Sequence, residues 1–257
     1  MRKRNFLIKI KHILLWITVS LLWCCDSENA LDCFQTSGPT VTRELDLGPF
    51  DRILVNRDIT LKIKEAPDYK VIIQTGENLL NDVHTQIIGD RLILTDNNTC
   101  NLVRDFGITQ ITVEAPNISE IKSSTQYEIE SAGTLNFPEL TLISEDFNEP
   151  SEFTVGDFRM SLNAESVTII SNNISFFYLE GDVENLSVNF FSGSGRFEGA
   201  SLTAQNVDVF HRGSNDMVVN PQQSLTGEMY GTGDLISVAV PPVIEVDQFY
   251  TGQLIFN

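Results

Sequence analysis

The residues best equipped for chemistry are four cysteines, three histidines and 35 acidic side chains set against 17 basic ones. Cys24 and Cys25 are adjacent near the N-terminus, whereas Cys33 and Cys100 stand alone. In an oxidising compartment an isolated pair forms a disulfide more readily than a metal centre. Zinc needs four ligands, and beyond residue 25 only His84 and His211 could join that pair, neither at finger spacing. A Cys33–Cys100 bridge is therefore expected, pinning the N-terminal segment to the body. Neither histidine accompanies a G-x-S-x-G elbow, so a hydrolase triad lacks its nucleophile turn. Thirty-five acids guarantee close neighbours, so paired carboxylates for glycoside hydrolysis carry no specificity. The cluster Glu145, Asp146, Glu149 and Glu152 lacks calcium-loop spacing and reads as a hydrophilic loop. Arg159, Arg196 and Arg212 are the basic residues of the C-terminal half, and they read as solvated surface charges before a lyase base. No catalytic residue, no metal and no cofactor is expected.

The adjacent cysteines have a different role. Arg2, Lys3, Arg4, Lys9 and Lys11 precede an apolar run from Ile13 to Trp23, and no acid occurs before Asp26. A basic segment followed by so short an apolar run suits a signal peptide and cannot span ~30 Å of hydrocarbon. The following Cys24-Cys25-Asp26-Ser27-Glu28 resembles the lipobox of bacterial lipoproteins. A small residue must precede the lipidated cysteine; Trp23 precedes Cys24, so Cys25 is the better candidate of the two. The acids after it resemble the surface-export signal of Bacteroidetes lipoproteins. Residues 1–24 are thus expected to be a lipoprotein signal peptide and 25–40 a linker. Cleavage removes five of the 17 cations and none of the 35 acids, which leaves a net charge of -23. Such a body repels nucleic acid and anionic membrane surfaces, so the lipid alone would tie it to a membrane.

The elements that position any site are strands. Ile59, Leu61 and Ile63, then Ile111 and Val113, alternate with polar residues at the period of a half-buried strand. Gly, Asn, Asp and Pro punctuate the intervals. No window carries a sustained helical stripe, and the stretch from Glu77 to Val83 allows a single turn at most. Before Ile118 the strands read as a meander. After it, apolar stretches open near Ile118, Leu140, Val167, Leu186, Val207, Leu225 and Phe249, with the widest gap between Leu140 and Val167. Periods near twenty with Gly, Ser and Asn corners suit a β-solenoid, in which each coil buries its inner face only by stacking on the next. A β-sandwich is the runner-up, with turns at shorter and more even spacing, about every 8 to 12 residues.

Three stretches carry a resemblance to a known family: RELDLGPFDRILVNRDITLKIKE (Arg43 to Glu65), GENLLNDV (Gly76 to Val83) and DRLILTDNNTCN (Asp90 to Asn101), followed by the Gly/Ser/Asn-cornered coils. Together they resemble the Bacteroidetes family described as "putative auto-transporter adhesin, head GIN domain", from about Val41 to the C-terminus. The resemblance implies an all-β domain over 41–257, a right-handed parallel β-helix preceded by a few N-terminal strands. It also implies an adhesin-like role without catalytic residues; with the lipobox and its following acids, the expected place is the outer membrane, facing either the periplasm or the exterior.

Aromatic residues concentrate in the coils: Phe176-Phe177-Tyr178, Phe190-Phe191, Phe210, Tyr230 and Phe249-Tyr250. Neighbours on a strand point to opposite faces, so one of each pair packs and one turns outward. Phe177, Phe191, Tyr230 and Tyr250 are the expected outward platform, able to meet a glycan or a protein partner at the cell surface. The alternative is an envelope carbohydrate-active enzyme, a polysaccharide lyase or glycoside hydrolase, on the same scaffold.

Overall fold

The computed structural model describes residues 32–98, 100–148, 151 and 153–257. The signal segment, Cys24, Cys25 and the start of the linker lie outside the described residues, as do Glu149 and Glu152. The described chain is all-β. Its strands are β1 (Thr40–Asp46), β2 (Arg52–Arg57), β3 (Ile59–Glu65), β4 (Lys70–Gly76), β5 (Val83–Ile88), β6 (Arg91–Asp96), β7 (Thr109–Ala115), β8 (Glu120–Thr125) and β9 (Ile129–Leu135). There follow β10 (Glu139–Ser144), β11 (Phe158–Ser171), β12 (Phe176–Phe190), β13 (Arg196–His211), β14 (Met217–Met229), β15 (Leu235–Ser237), β16 (Val243–Gln248) and β17 (Leu254–Phe256). Single 3-10 turns occur at Asp32–Phe34 and Leu80–Asp82, the second inside the stretch where the sequence allows one turn.

All seventeen strands join one sheet built of two ladders. The first runs β6–β2–β8–β10 and continues through the C-terminal halves of β11, β12, β13 and β14 to β16, all in parallel. The second runs β7–β3–β9, then through the N-terminal halves of the same long strands to β15 and β17. Strands β11 to β14 are the longest of the sheet because each serves both ladders. Antiparallel pairing is confined to β1–β4, β4–β7 and β5–β6, so the hairpin-built sandwich is not the arrangement found.

Period-two burial follows from the parallel register. Leu140, Val167, Leu186, Val207 and Leu225 pair in succession and form one buried row, as their spacing in sequence suggests. The row's next partner is Ile244, exposed at the end of the ladder, and not Phe249, which lies outside the core. A second row runs Leu61, Ile129, Phe158, Phe177, Phe197, Met217 and Leu235, all fully buried. Burying one such side chain contributes ~1.5–3 kcal/mol, which gives the stacked rows their hold.

One expectation needs correction. The N-terminal strands are not a separate meander, because Ile53 pairs with Ile121 and Leu61 with Ile129, partners far removed in the chain. Strands β4 to β7 form an excursion between those partners. The widest interval, from Leu140 to Val167, holds an inserted loop after β10. Glu145 anchors it, accepting the Phe147 and Asn148 N–H groups at 2.7 and 2.9 Å and facing Lys122 Nζ at 3.4 Å. Lys122 points away from the core row yet is only 3% exposed, because this loop covers it. Cys33 and Cys100 form a disulfide, tying the segment before β1 to the β6–β7 connection.

Candidate functional site

The corner that ends the first ladder's strands carries an external row of rings. After Phe190 turns inward on β12, Phe191 turns outward, and its ring lies 5.4 Å from Phe210. Phe210 is 5.6 Å from Tyr230, and Tyr230 stacks on Phe249 at 4.6 Å with the planes 7° apart. Backbone bonds set this register, since Tyr230 N–H donates to His211 O at 2.7 Å and Phe249 N–H to Met229 O at 2.8 Å. The four rings recur once per successive strand of the ladder. That recurrence is the sequence signal that marks the row.

Of the residues expected on a platform, Phe191 and Tyr230 belong to the row. Tyr250 is exposed beside Phe249, outside the series of ring contacts. Phe177 is corrected: it is fully buried, stacked on Phe158 at 4.9 Å and against Phe190 at 5.9 Å. Its neighbours Phe176 and Tyr178 take the outer face, with the Arg159 guanidinium 4.3 Å over the Tyr178 ring. Phe210 and Phe249 complete the row in place of Phe177 and Tyr250.

Beside the rings runs a shallow groove of about 870 Å³, lined by Phe191, Phe210, Asp208, Glu228, Glu245 and Asp247. The groove floor needs Gly227, whose φ is +135° and where a Cβ would stand 2.0 Å from Val209 O. Crowding by its neighbours pushes the Tyr230 hydroxyl above its ordinary range, and Glu228 and Asp247 add to the effect. The site therefore offers flat apolar rings next to a row of carboxylates. Rings of this kind stack against sugar faces and planar apolar groups, while the acids accept hydroxyl or amine donors and repel anionic polymers.

The remaining candidates are dispersed. His84 is exposed on β5. His211 is fully buried under the ring row, with Nδ1 accepting the Gly213 N–H at 3.3 Å; loss of solvation lowers its pKa, opposed by Asn215, Asp216 and Asp234. Arg159 pairs with Glu128, while Arg196 pairs with Glu198 and Asp216, so these two do not form a stacked base column. Among the described residues no three His, Cys, Asp or Glu side chains gather in a way that could hold a metal ion.

Several solved structures share this architecture. A "putative adhesin" from Bacteroides fragilis aligns with a TM-score of 0.76 at 16% identity, over 86% of this chain and 99% of that one. A second "putative adhesin", from Parabacteroides merdae, aligns with a TM-score of 0.56 at 15% identity, over 86% and 97%. A "putative lipid binding protein" from Parabacteroides distasonis gives 0.59 at 13% identity, with the same coverages. At these identities the likeness is one of fold. Comparison with curated proteins found no match. The family model described as "putative auto-transporter adhesin, head GIN domain" matches residues 49–241, and the chain belongs to that family.

Proposed function

We propose that this chain is a non-catalytic, adhesin-like lipoprotein of the cell envelope, whose body is a right-handed parallel β-helix displaying one binding face. Cys25 carries the lipid, and the body stands at the outer membrane. The regular parallel offset from each of β11 to β14 to the next supports the β-helix reading. The observation that carries the functional reading is the outward row Phe191–Phe210–Tyr230–Phe249, exposed at Phe191, Tyr230 and Phe249 and half-buried at Phe210, beside the acidic groove. Rings held in line by four successive coils present an extended strip, which suits a neutral glycan chain or an apolar, basic protein segment. Membership of an adhesin-like family agrees with this reading.

The test is a binding screen of the processed protein against neutral polysaccharides and envelope proteins, repeated with Phe210→Ala/Tyr230→Ala. Each ring contributes ~0.5–1.5 kcal/mol, so the double variant should bind roughly 10-fold more weakly or worse. Unchanged binding would remove the strip from the function. Polysaccharide cleavage with turnover, abolished by replacing one acid, would establish the enzyme instead. Labelled palmitate should enter the wild type and not Cys25→Ala; equal labelling would overturn the anchor.

A further inference from the structure

At the other end of the molecule the excursion strands enclose a cleft of about 250 Å³ that belongs to none of the preceding sites. Its floor is polar. Asp96, at the end of β6, accepts the Thr109 hydroxyl at 2.5 Å and both the backbone N–H and the side-chain amide of Asn98, at 2.8 and 2.6 Å. The Asn98 amide nitrogen also donates to Leu79 O at 3.1 Å, which fixes the side chain's orientation. Its carbonyl oxygen Oδ1 has no partner among the described residues, although the residue is only 7% exposed. Across the floor, the Gln126 amide nitrogen donates to Asp58 Oδ1, and Gln126 Oε1 is likewise buried and unpartnered among the described residues. Asp58 follows Arg57, whose φ of +58° is the only positive value at a non-glycine position among the described residues. Phe106 and Phe153, 75% and 40% exposed, line the same cleft. Gly107 holds the wall that carries Phe106, since a Cβ there would stand 2.8 Å from the Tyr127 ring.

We propose that this cleft is a second binding site, which takes one neutral sugar ring with its hydroxyls on the floor and an apolar ring face against Phe106 and Phe153. The unfilled capacity of the floor is acceptor capacity, so an occupant must bring donors; a buried oxygen left without one costs ~1–3 kcal/mol. Charged donors fit poorly. Of the acids lining the cleft, Asp105 is exposed at its edge and Asp96 has already accepted three hydrogen bonds. Arg104 stands in the same wall, donating to the carbonyls of Gln35, Asn98 and Cys100. Burial raises the Asp58 pKa and Asp96 adds to it, while Gln126, Arg104 and Arg57 oppose the shift, so positive charge already faces this carboxyl. Hydroxyls satisfy both orphaned amide oxygens without meeting that repulsion. The volume lies just below the ~300 Å³ at which ligand pockets begin, which admits a single ring and not a chain.

The experiment titrates methyl glycosides of glucose, galactose, mannose and N-acetylglucosamine into the disulfide-bonded protein and follows backbone amide shifts by NMR. The expected result is saturable shifts at Asn98, Gly107, Thr109 and Gln126 with at least one glycoside, weakened about fivefold in Phe106→Ala. That side chain is too exposed for its loss to unfold the domain, and Asp58→Asn provides a second, isosteric variant that should weaken the same shifts. Phe210→Ala, in the external strip, should leave them unchanged. Shifts confined to amides around Phe191 and Tyr230 would overturn the cleft and leave the strip standing. Response of the cleft amides to calcium chloride or methylammonium but to no glycoside would make it a cation site and overturn the proposal, as would no response to any glycoside.

Discussion

Replacing Phe177 by alanine tests which way β12 faces, and with it the whole interior row. The ring is fully buried, lies flat on Phe158 at 4.9 Å and packs against Phe190 at 5.9 Å. Deleting a buried Phe side chain costs ~3–5 kcal/mol, and the neighbouring coils limit collapse into the space because Phe158 and Phe197 are held in register on either side. The expected loss is therefore about 4 kcal/mol, including ~0.5–1.5 kcal/mol from ring stacking. Phe191→Ala is the control: its ring is 47% exposed and touches one other ring, so about 1 kcal/mol or less should be lost. Urea unfolding of the oxidised protein, followed by circular dichroism, reads both. With a slope near ~3 kcal/mol per molar, the midpoint should fall by more than ~1 M for Phe177→Ala and by ~0.3 M for Phe191→Ala. Because stacked coils can unfold in part, hydrogen exchange at the amides of β12 and β13 checks the same difference locally. A Phe177→Ala shift no larger than that of Phe191→Ala would refute the inward placement.

Other perturbations have equally definite outcomes. Lys122→Met leaves Glu145 buried without its cation and should cost ~3–5 kcal/mol, while Lys122→Met/Glu145→Gln should recover part of this; thermal melts of the two variants decide it. Cys33→Ser/Cys100→Ser opens a link between residues 67 positions apart and should lower stability by about 4 kcal/mol on the chain-entropy account, measured against the oxidised wild type. The folded-state pKa of Asp58 is raised, so its contribution to stability is present below the unfolded value of ~3.9 and fades as pH rises through the folded one. Asp58→Asn lacks that loss, and its melting temperature relative to wild type should climb from pH 4 to pH 7; a constant difference would contradict the raised pKa.

The repeat of apolar strand openings was legible because it depends on local composition. Leu140, Val167, Leu186, Val207 and Leu225 each open an apolar stretch, and the structure pairs those same residues. The disulfide was legible by elimination among few cysteines. The joining of β2 to β8 was not, because a pairing between such distant segments leaves no periodic trace when an excursion separates them. The direction of Phe177 was within reach: Leu179, two positions on, is apolar and Glu180 is not, which places the odd-numbered residues inward at this end of β12. The cleft could not be read from the sequence. Its floor draws on Asp58, Asp96, Asn98 and Gln126 from separate segments, and the parallel pairing of β2 with β6 and β8 brings those segments together.

The long jump from β2 to β8 also sets an order of events during folding. Each of β11 to β14 pairs with the next after a single short coil, whereas Arg57 must wait for Thr125, 68 positions on. Loop entropy grows with the logarithm of length, so a closure roughly three times as long costs about 1 kcal/mol more. The ladder partner of Ile53 is Ile121, which lies beyond the whole excursion. The N-terminal strands thus have no partner on that edge while the chain is short. Once the C-terminal strands have stacked, β8 and β9 offer a template to which β2 and β3 can add, whereas the Cys33–Cys100 bond closes onto the excursion and does not depend on that joint.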